Sequence, residues 1–266
     1  MKKSLSPPKV TLVGAGPGDP ELLTLKAVKA IQQASVLLVD DLVHPQVLQH
    51  ANPSARVIHV GKRGGCRSTP QAFIEKMMAQ QALAGENVVR LKGGDPLIFG
   101  RGGEEQAHLQ AQGIVVEVIN GITAGLAAAN DLGVALTHRA HAHGVMLLTG
   151  HASPTHTSTL MPALDWGQIA HTAHSCRLTL VIYMGVQTVT HLQTGLLQGL
   201  PTDTPVAVVE NASLPEQRLV CTQLGQLDRV FETEKLSSPA IILVGDVLLG
   251  LQQLHQGHAP PAALGA

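Results

Sequence analysis

Ten short apolar runs, separated by stretches of helical period, set the strongest limit on what this chain can fold into. Five fall near residues 10–13, 35–39, 56–60, 87–91 and 115–119, and five more near 145–150, 178–185, 205–210, 218–222 and 239–245. Runs this short, apolar at successive positions, suit strands of a parallel sheet, and the periodic segments between them supply the covering helices. The pattern predicts the α/β class, built as two α/β domains. The turn NGITAG at 120–125 is the expected boundary, giving an N-terminal domain over 9–120 and a C-terminal domain over 121–254. Residues 255–266, rich in Ala, Pro and Gly, are expected not to pack. One helix is legible from end to end, with Thr69 as N-cap, Pro70 in the first turn and Gly85 as its stop.

Composition narrows the function classes. A formal net charge of −1 provides no field to attract nucleic acid, and one Trp, one Tyr and three Phe leave few platforms for stacked bases. No apolar run approaches the roughly 20 residues a bilayer span needs, and the start MKKSLSPPK has no apolar stretch behind its lysines. The expectation is a cytoplasmic protein with no membrane partner. Cys66, Cys176 and Cys221 are widely spaced and form no C-x-x-C pair, which argues against a disulfide framework or a thiolate metal site. His138, His141 and His143 fall in an H-x-x-H-x-H pattern, but no acid or cysteine accompanies them, so no metal is expected.

The segment VTLVGAGPGDPELLTL, 10–25, has the form of a strand, a glycine-rich turn and a helix beginning at Pro20 and Glu21. A dinucleotide fingerprint would need a third glycine where Asp19 stands. Two acids at the start of a helix also disfavour a phosphate there, so a nicotinamide dehydrogenase is not the expected reading. Asp40 keeps a rival role, since it ends a strand at the distance where a dinucleotide fold places its ribose-binding acid. A second glycine-rich loop, RLKGGDPLIFGRGGEE at 90–105, carries Lys92 and Arg101 on its flanks and two acids at the start of a helix.

Eleven segments in one order carry a resemblance: VGAGPGDPELLTLKA, DDLVHPQVL, GKRGG followed by PQ, VVRLKGGDPLIFGRGGEE, GITAG, LTHR, TGH, LDW, TLVIYMG, PVAVVENAS and SPAIILVGDV. Together they make the chain resemble the tetrapyrrole methylase family, and within it the uroporphyrinogen-III C-methyltransferases, over residues 10 to about 250. The resemblance implies two α/β domains with a cofactor cleft between them. It also implies S-adenosylmethionine as cofactor, S-adenosylhomocysteine as its product, a tetrapyrrole substrate methylated at C2 and C7 to give precorrin-2, and a homodimer. By the same resemblance Pro17, Gly93, Gly94, Asp95, Ile98, Thr123, Ala124, Met184, Ala212, Pro239 and Ala240 bind the cofactor. Met184 taken alone would be assigned to the core. Asp40 takes the part of proton acceptor and Lys62 of proton donor, the plain alternative being an ion pair between the two. Arg63, Arg101, His138 and Arg139, with Arg67, His141 and His143 nearby, are the cations that would meet an octacarboxylate substrate.

Val39 stands where relatives often have tyrosine, and Asn120 stands where they have proline, which predicts a looser turn before Gly121. The chain ends with the methylase pattern, so no fused dehydrogenase, chelatase or synthase is expected. Two alternatives remain: a methyltransferase of the same fold acting on a later precorrin or on a modified protein histidine, and a non-catalytic tetrapyrrole carrier. The GKR and LTHR segments argue against the first, and the full cofactor set against the second.

Overall fold

The structure, a computed structural model, describes residues 7–61, 70–150 and 164–249. It falls into two compact units, Met1–Ala127 and Ala128–Ala266.

The first unit carries β1 (Lys9–Gly14), β2 (Val36–Val39), β3 (Arg56–His59), β4 (Val88–Lys92) and β5 (Val115–Ile119), with helices α1 (Leu25–Gln33), α2 (Gln71–Leu83) and α3 (Gly102–Gln110). The strands form one sheet in the order β3-β2-β4-β1-β5, every pair parallel. One face, with Val10, Leu12, Val36, Leu38 and Val88, packs on Ile74, Met78, Ala79 and Ala82 of α2 and Leu109 of α3. The other, with Val13, Leu37, Val39, Val89 and Leu91, packs on Ala27 and Ile31 of α1. β1, β2 and β4 are buried on both faces, which is why they are largely apolar at successive positions in the sequence.

The first helix starts later than the sequence suggests. Asp19 accepts from the Glu21 amide at 2.8 Å and closes a three-residue 3-10 turn, Pro20–Leu22. Leu23 is extended, and Thr24 caps α1 by accepting from the Ala27 amide at 3.1 Å. Asp19 therefore caps a tight turn and does not sit at the positive end of a long helix. Helix α2 stops as expected before Gly85, whose φ of +87° suits only glycine comfortably. Its start differs: Pro70, expected in the first turn, holds the N-cap position without a side-chain hydrogen bond, and Gln71 is the first helical residue. Thr69, the expected cap, lies outside the described residues.

The second unit carries β6 (Gly144–Thr149), β7 (Leu178–Tyr183), β8 (Pro205–Glu210), β9 (Arg218–Gln223) and β10 (Ala240–Val244), with α5 (Trp166–Cys176), α6 (Val189–Leu196) and α7 (Leu227–Thr233). Helix α4 (Ala124–Asp131) carries the chain from the first unit into it. All ten apolar runs are strands, but this sheet is mixed, which corrects the expectation of parallel strands throughout. Its order is β6-β7-β10-β8-β9, with β6 parallel to β7, β10 antiparallel to both β7 and β8, and β9 antiparallel to β8. The β8–β9 link, 211–217, is too short for a crossover, so that pair must run antiparallel. Its core joins Leu180, Ile182, Val206, Val208, Ile242 and Val244 to Ala170, Leu192, Leu196, Leu227 and Phe231 of the helices.

Candidate active site

Three loops meet where the strands of the first unit end. The turn after β1 and the loop after β4 exchange backbone hydrogen bonds, Gly94 N–H donating to Gly16 O at 2.7 Å and Gly16 N–H to Gly94 O at 3.2 Å. A Cβ on Gly14 would stand 2.4 Å from the Gly121 nitrogen, and one on Gly121 would stand 2.2 Å from the Gly94 carbonyl oxygen. Glycine is needed at these positions because backbone touches backbone there. Buried Asp95 locks the arrangement: its Oδ1 accepts from Leu97 N–H at 2.8 Å, and its Oδ2 accepts from Gly121 N–H and from Asn120 Nδ2, each at 3.1 Å. Asn120 thus tethers the turn through its side chain where the sequence predicted looseness.

Of the residues the resemblance assigned to the cofactor, the first unit brings together Gly93, Gly94, Asp95, Thr123 and Ala124. A Cβ on Gly94 would lie 3.7 Å from Thr123 Cα and 3.9 Å from Ala124 N. Pro17 follows Gly16 in the same cluster, and Ile98, half-buried, donates its N–H to Asp95 O at 3.3 Å. Loop and turn chemistry here supplies backbone groups and one fully engaged carboxylate.

Asp40 ends β2 and is placed by a neighbour that sequence reasoning did not single out. Its Oδ2 lies 3.2 Å from Arg90 Nη2, and its Oδ1 accepts from Asp41 N–H at 3.0 Å. Arg90 is 2% exposed on the central strand β4, where its Nη1 also donates to Leu91 O at 3.1 Å. Two residues on, Lys92 is 3% exposed and pairs with Glu105 of α3 at 3.1 Å. Glu105, 0% exposed, takes Lys92, Arg90 Nε at 3.4 Å and Gln71 Nε2 at 3.1 Å, all on Oε1, while its Oε2 is buried with no hydrogen-bond partner. Burial pushes the Lys92 ammonium below its ordinary value, as does the adjacent Arg90 charge, and Glu105 pulls it back up. Alternate residues Val88, Arg90 and Lys92 share one face of β4, so the charges lie at the end of the strand while Val88 packs in the core.

In the second unit the reversal of β10 does the positioning. Because β10 runs antiparallel between β7 and β8, its first residue lies beside their last ones: Ala240 pairs with Glu210 and Ile241 with Tyr183. Met184, Ala212, Pro239 and Ala240 therefore converge, and Asn211 N–H donates to Pro239 O at 3.1 Å. Met184 holds φ +53° and its side chain is turned outward, 47% exposed, which rules out the core role it would have been given alone. Asn211 (φ +50°) and Ser213 (φ +68°) flank buried Ala212 in the same left-handed region. Residues other than glycine seldom adopt this conformation, and its clustering at strand ends is typical of functional loops.

The cations assigned to substrate fall in both units. Arg101, the left-handed residue that opens α3, is exposed and paired with Glu104 at 2.6 Å. His138 and Arg139 are exposed in the second unit, where the His138 ring stacks on His141 with centroids 4.8 Å apart. Among the described residues no three His, Cys, Asp or Glu side chains are grouped to share a metal ion. Lys62, Arg63 and Arg67 lie outside the described residues, so the expected Asp40–Lys62 juxtaposition does too.

The family described as Tetrapyrrole (Corrin/Porphyrin) Methylases matches residues 9–228. The chain belongs to the tetrapyrrole methylase family. A relative from Pseudomonas aeruginosa, called uroporphyrinogen-III C-methyltransferase, is 52% identical over 240 residues, 90% of this chain and 94% of its own length. A chloroplastic S-adenosyl-L-methionine-dependent uroporphyrinogen III methyltransferase of Arabidopsis thaliana is 47% identical, covering 91% of this chain and 64% of that protein. Among solved structures, uroporphyrin-III C-methyltransferase from Thermus thermophilus, complexed with S-adenyl homocysteine, superposes with a TM-score of 0.75 at 38% identity over 91% of this chain and 99% of that one. A cobalt precorrin-4 methyltransferase superposes with a TM-score of 0.77 at 29% identity, covering 90% and 95%. Tetrapyrrole methylases acting on different rings thus share this fold, and the fold alone does not choose among their substrates.

Proposed function

We propose that this tetrapyrrole methylase transfers methyl groups from S-adenosylmethionine to C2 and C7 of uroporphyrinogen III, producing precorrin-2 by way of a monomethyl intermediate. The observation that carries the proposal is the 52% identity to a uroporphyrinogen-III C-methyltransferase along nearly the whole of both chains. A later precorrin as substrate is disfavoured because the cobalt precorrin-4 enzyme, as similar in fold, is only 29% identical.

The residues suit an amino-acid-bearing sulfonium nucleoside. Exposed Met184 beside Pro239 offers apolar surface for a base, while the glycine turn at 93–94 offers backbone groups for the amino-acid end. Pro17, Asp95, Ile98, Thr123, Ala124, Ala212 and Ala240 complete the proposed holding set, with Asp95 acting by shaping the loops it ties together. When bound, the cofactor supplies an electrophilic methyl group, so the protein needs no nucleophile of its own. Each transfer makes one carbon–carbon bond on the ring, breaks the methyl–sulfur bond and leaves one proton to be removed. Asp40 is the proposed acceptor of that proton and Lys62 the proposed donor in the return of the ring system to its product form. Arg63, Arg101, His138 and Arg139 are the proposed partners of the substrate carboxylates, arginine's fork being suited to them. Arg101 would have to exchange Glu104 for substrate, an exposed pair being weak enough to allow it.

The enzyme is proposed to act as a homodimer in the cytoplasm, on the strength of the family resemblance. No helix among the described residues is long and apolar enough to cross a membrane. Anaerobic incubation with uroporphyrinogen III and S-adenosylmethionine, followed by mass spectrometry, tests the assignment. Two added methyl groups, appearing after one, are expected, and a product with no methyl gain overturns it.

A further inference from the structure

Glu105 has no part in the assignments above, yet it is a fully buried carboxylate held by three side chains. It is a carboxylate with no exposure, reached by two side-chain cations that are themselves 2% and 3% exposed. A buried charge is tolerated only where opposite charges and hydrogen bonds answer it. Arg90 and Lys92 bring two positive charges to one end of β4, and Glu105 answers with one. The second negative charge is Asp40, whose side chain is 35% exposed and which Arg90 reaches from the inside. Arg90 is thus gripped from two sides, by Glu105 at Nε and by Asp40 at Nη2. Its planar guanidinium fixes the direction between them as a lysine would not. Gln71, the first residue of α2, ties that helix to the same Glu105 oxygen.

We propose that Glu105 is a positioning residue for the methylation reaction, acting through Arg90 to hold the Asp40 carboxylate at the end of β2. The inference rests on Asp40 being the proton acceptor. The Glu105 carboxylate meets Arg90, Lys92 and Gln71, none of which is proposed to hold cofactor or substrate. Its main-chain N–H donates to Arg101 O at 3.2 Å at the start of α3, a bond that a side-chain change at 105 leaves in place. The path from its side chain to Asp40 runs through the Arg90 guanidinium, so removing its charge should register in turnover and not in binding. The concentration of three Glu105 contacts on Oε1, with Oε2 left buried and unpartnered, fits this role: the carboxylate is oriented for Arg90 and Lys92 at the expense of its own second oxygen.

Glu105→Gln preserves shape and removes the charge. It should slow kcat by about 10²-fold, the scale of a catalytic group displaced by about 1 Å, with KM and calorimetric affinity for S-adenosylhomocysteine unchanged. If the single variant does not fold, Lys92→Met/Glu105→Gln removes one buried charge of each sign and leaves Arg90 balanced by Asp40. It should be equally slow. Adding Asp40→Asn to that pair should cause no loss beyond that of Asp40→Asn alone, because residues acting as a unit are not additive. Normal turnover of the folded variants overturns the inference, as does an additive loss in the triple variant. If Asp40→Asn by itself turns over normally, the proton-acceptor assignment falls first and this inference falls with it. If Asp40→Asn is slow and Glu105→Gln is normal, only the role of Glu105 is lost.

Discussion

The two units of this chain each gather site residues at strand ends, but they do so with opposite materials. In the first, all strands are parallel and glycines let three backbone segments interlock, Gly14, Gly94 and Gly121 lying so close that a methyl group would strike main chain. In the second, one reversed strand, β10, brings its beginning beside the ends of β7 and β8, and Met184, Asn211 and Ser213 hold left-handed conformations there, as Phe99 and Arg101 do in the loop after β4. The first arrangement packs main chain on main chain, with the buried charges of Arg90, Lys92 and Glu105 near the end of β4. The second turns side chains outward, Met184 foremost. Close backbone packing is thus the first unit's device and strand reversal the second's, while exposed apolar side chains stand in both, Leu97 and Phe99 in one and Met184 in the other.

Adding a methyl group to the interlocked loops should have the largest effect. Gly121→Ala would place Cβ 2.2 Å from the Gly94 carbonyl oxygen. Backbone cannot yield as a side chain can, so we expect a destabilisation of about 3 kcal/mol, seen in calorimetry as a Tm lowered by roughly 6 to 12 °C. An unchanged Tm would mean that the close packing of the three loops is not what the first unit depends on. A smaller and oppositely directed effect sharpens the contrast at Met184. Met184→Gly relieves a left-handed residue whose side chain packs little, so stability should hold or rise by up to about 1 kcal/mol. Affinity for S-adenosylhomocysteine should fall at the same time. Lost stability with full affinity would return Met184 to an ordinary packing role.

Legibility from sequence followed the same division. All ten strands are visible as apolar runs, because burial on at least one face leaves that mark whatever the topology. The direction of β10 is not visible: AIILV is apolar at every position and has the same character read either way. The late start of α1 was hidden for a local reason, since Pro20 after Asp19 signals a helix N-terminus as well as a capped 3-10 turn. The glycine-rich loops were legible as such, and Gly14 and Gly121 turn out to serve contact between loops. The partner of Asp40 was missed. Its signal was present in VVRLK, where two charges on alternate residues interrupt a strand otherwise apolar, and in the second acid of GRGGEE, but only the fold places Arg90 between Asp40 and Glu105. Asn120 was taken for a loss of rigidity because proline's restraint is written in the residue itself, whereas a side-chain tether to Asp95 depends on a loop 25 residues away.

The smallest effect expected is a control on a surface ion pair of the first unit. On the edge strand β5, Glu117 meets Lys9 at 2.5 Å and Lys26 at 2.6 Å. Hydrogen bonds from Lys26, then Lys9, hold its carboxyl below the usual carboxylate range. With the folded value below the unfolded one, its contribution is present above the unfolded value and is lost as pH falls through the lowered folded value. Glu117→Gln should therefore reduce stability at neutral pH by less than about 1 kcal/mol, with the difference from the native chain disappearing in acid. A difference that persists unchanged at low pH would show that charge is not its source.

The central claim is that Asp40, held from beneath by Arg90, does chemistry and does not hold the cofactor. Asp40→Asn, assayed for turnover at saturating substrate and titrated with S-adenosylhomocysteine in the calorimeter, separates these directly. The account predicts native affinity with turnover slower by roughly 10² to 10⁴, the range for loss of a positioned acid or base. Weakened affinity with a normal saturated rate would contradict it and would make Asp40 the ribose-binding acid that its place at the end of β2 also allows.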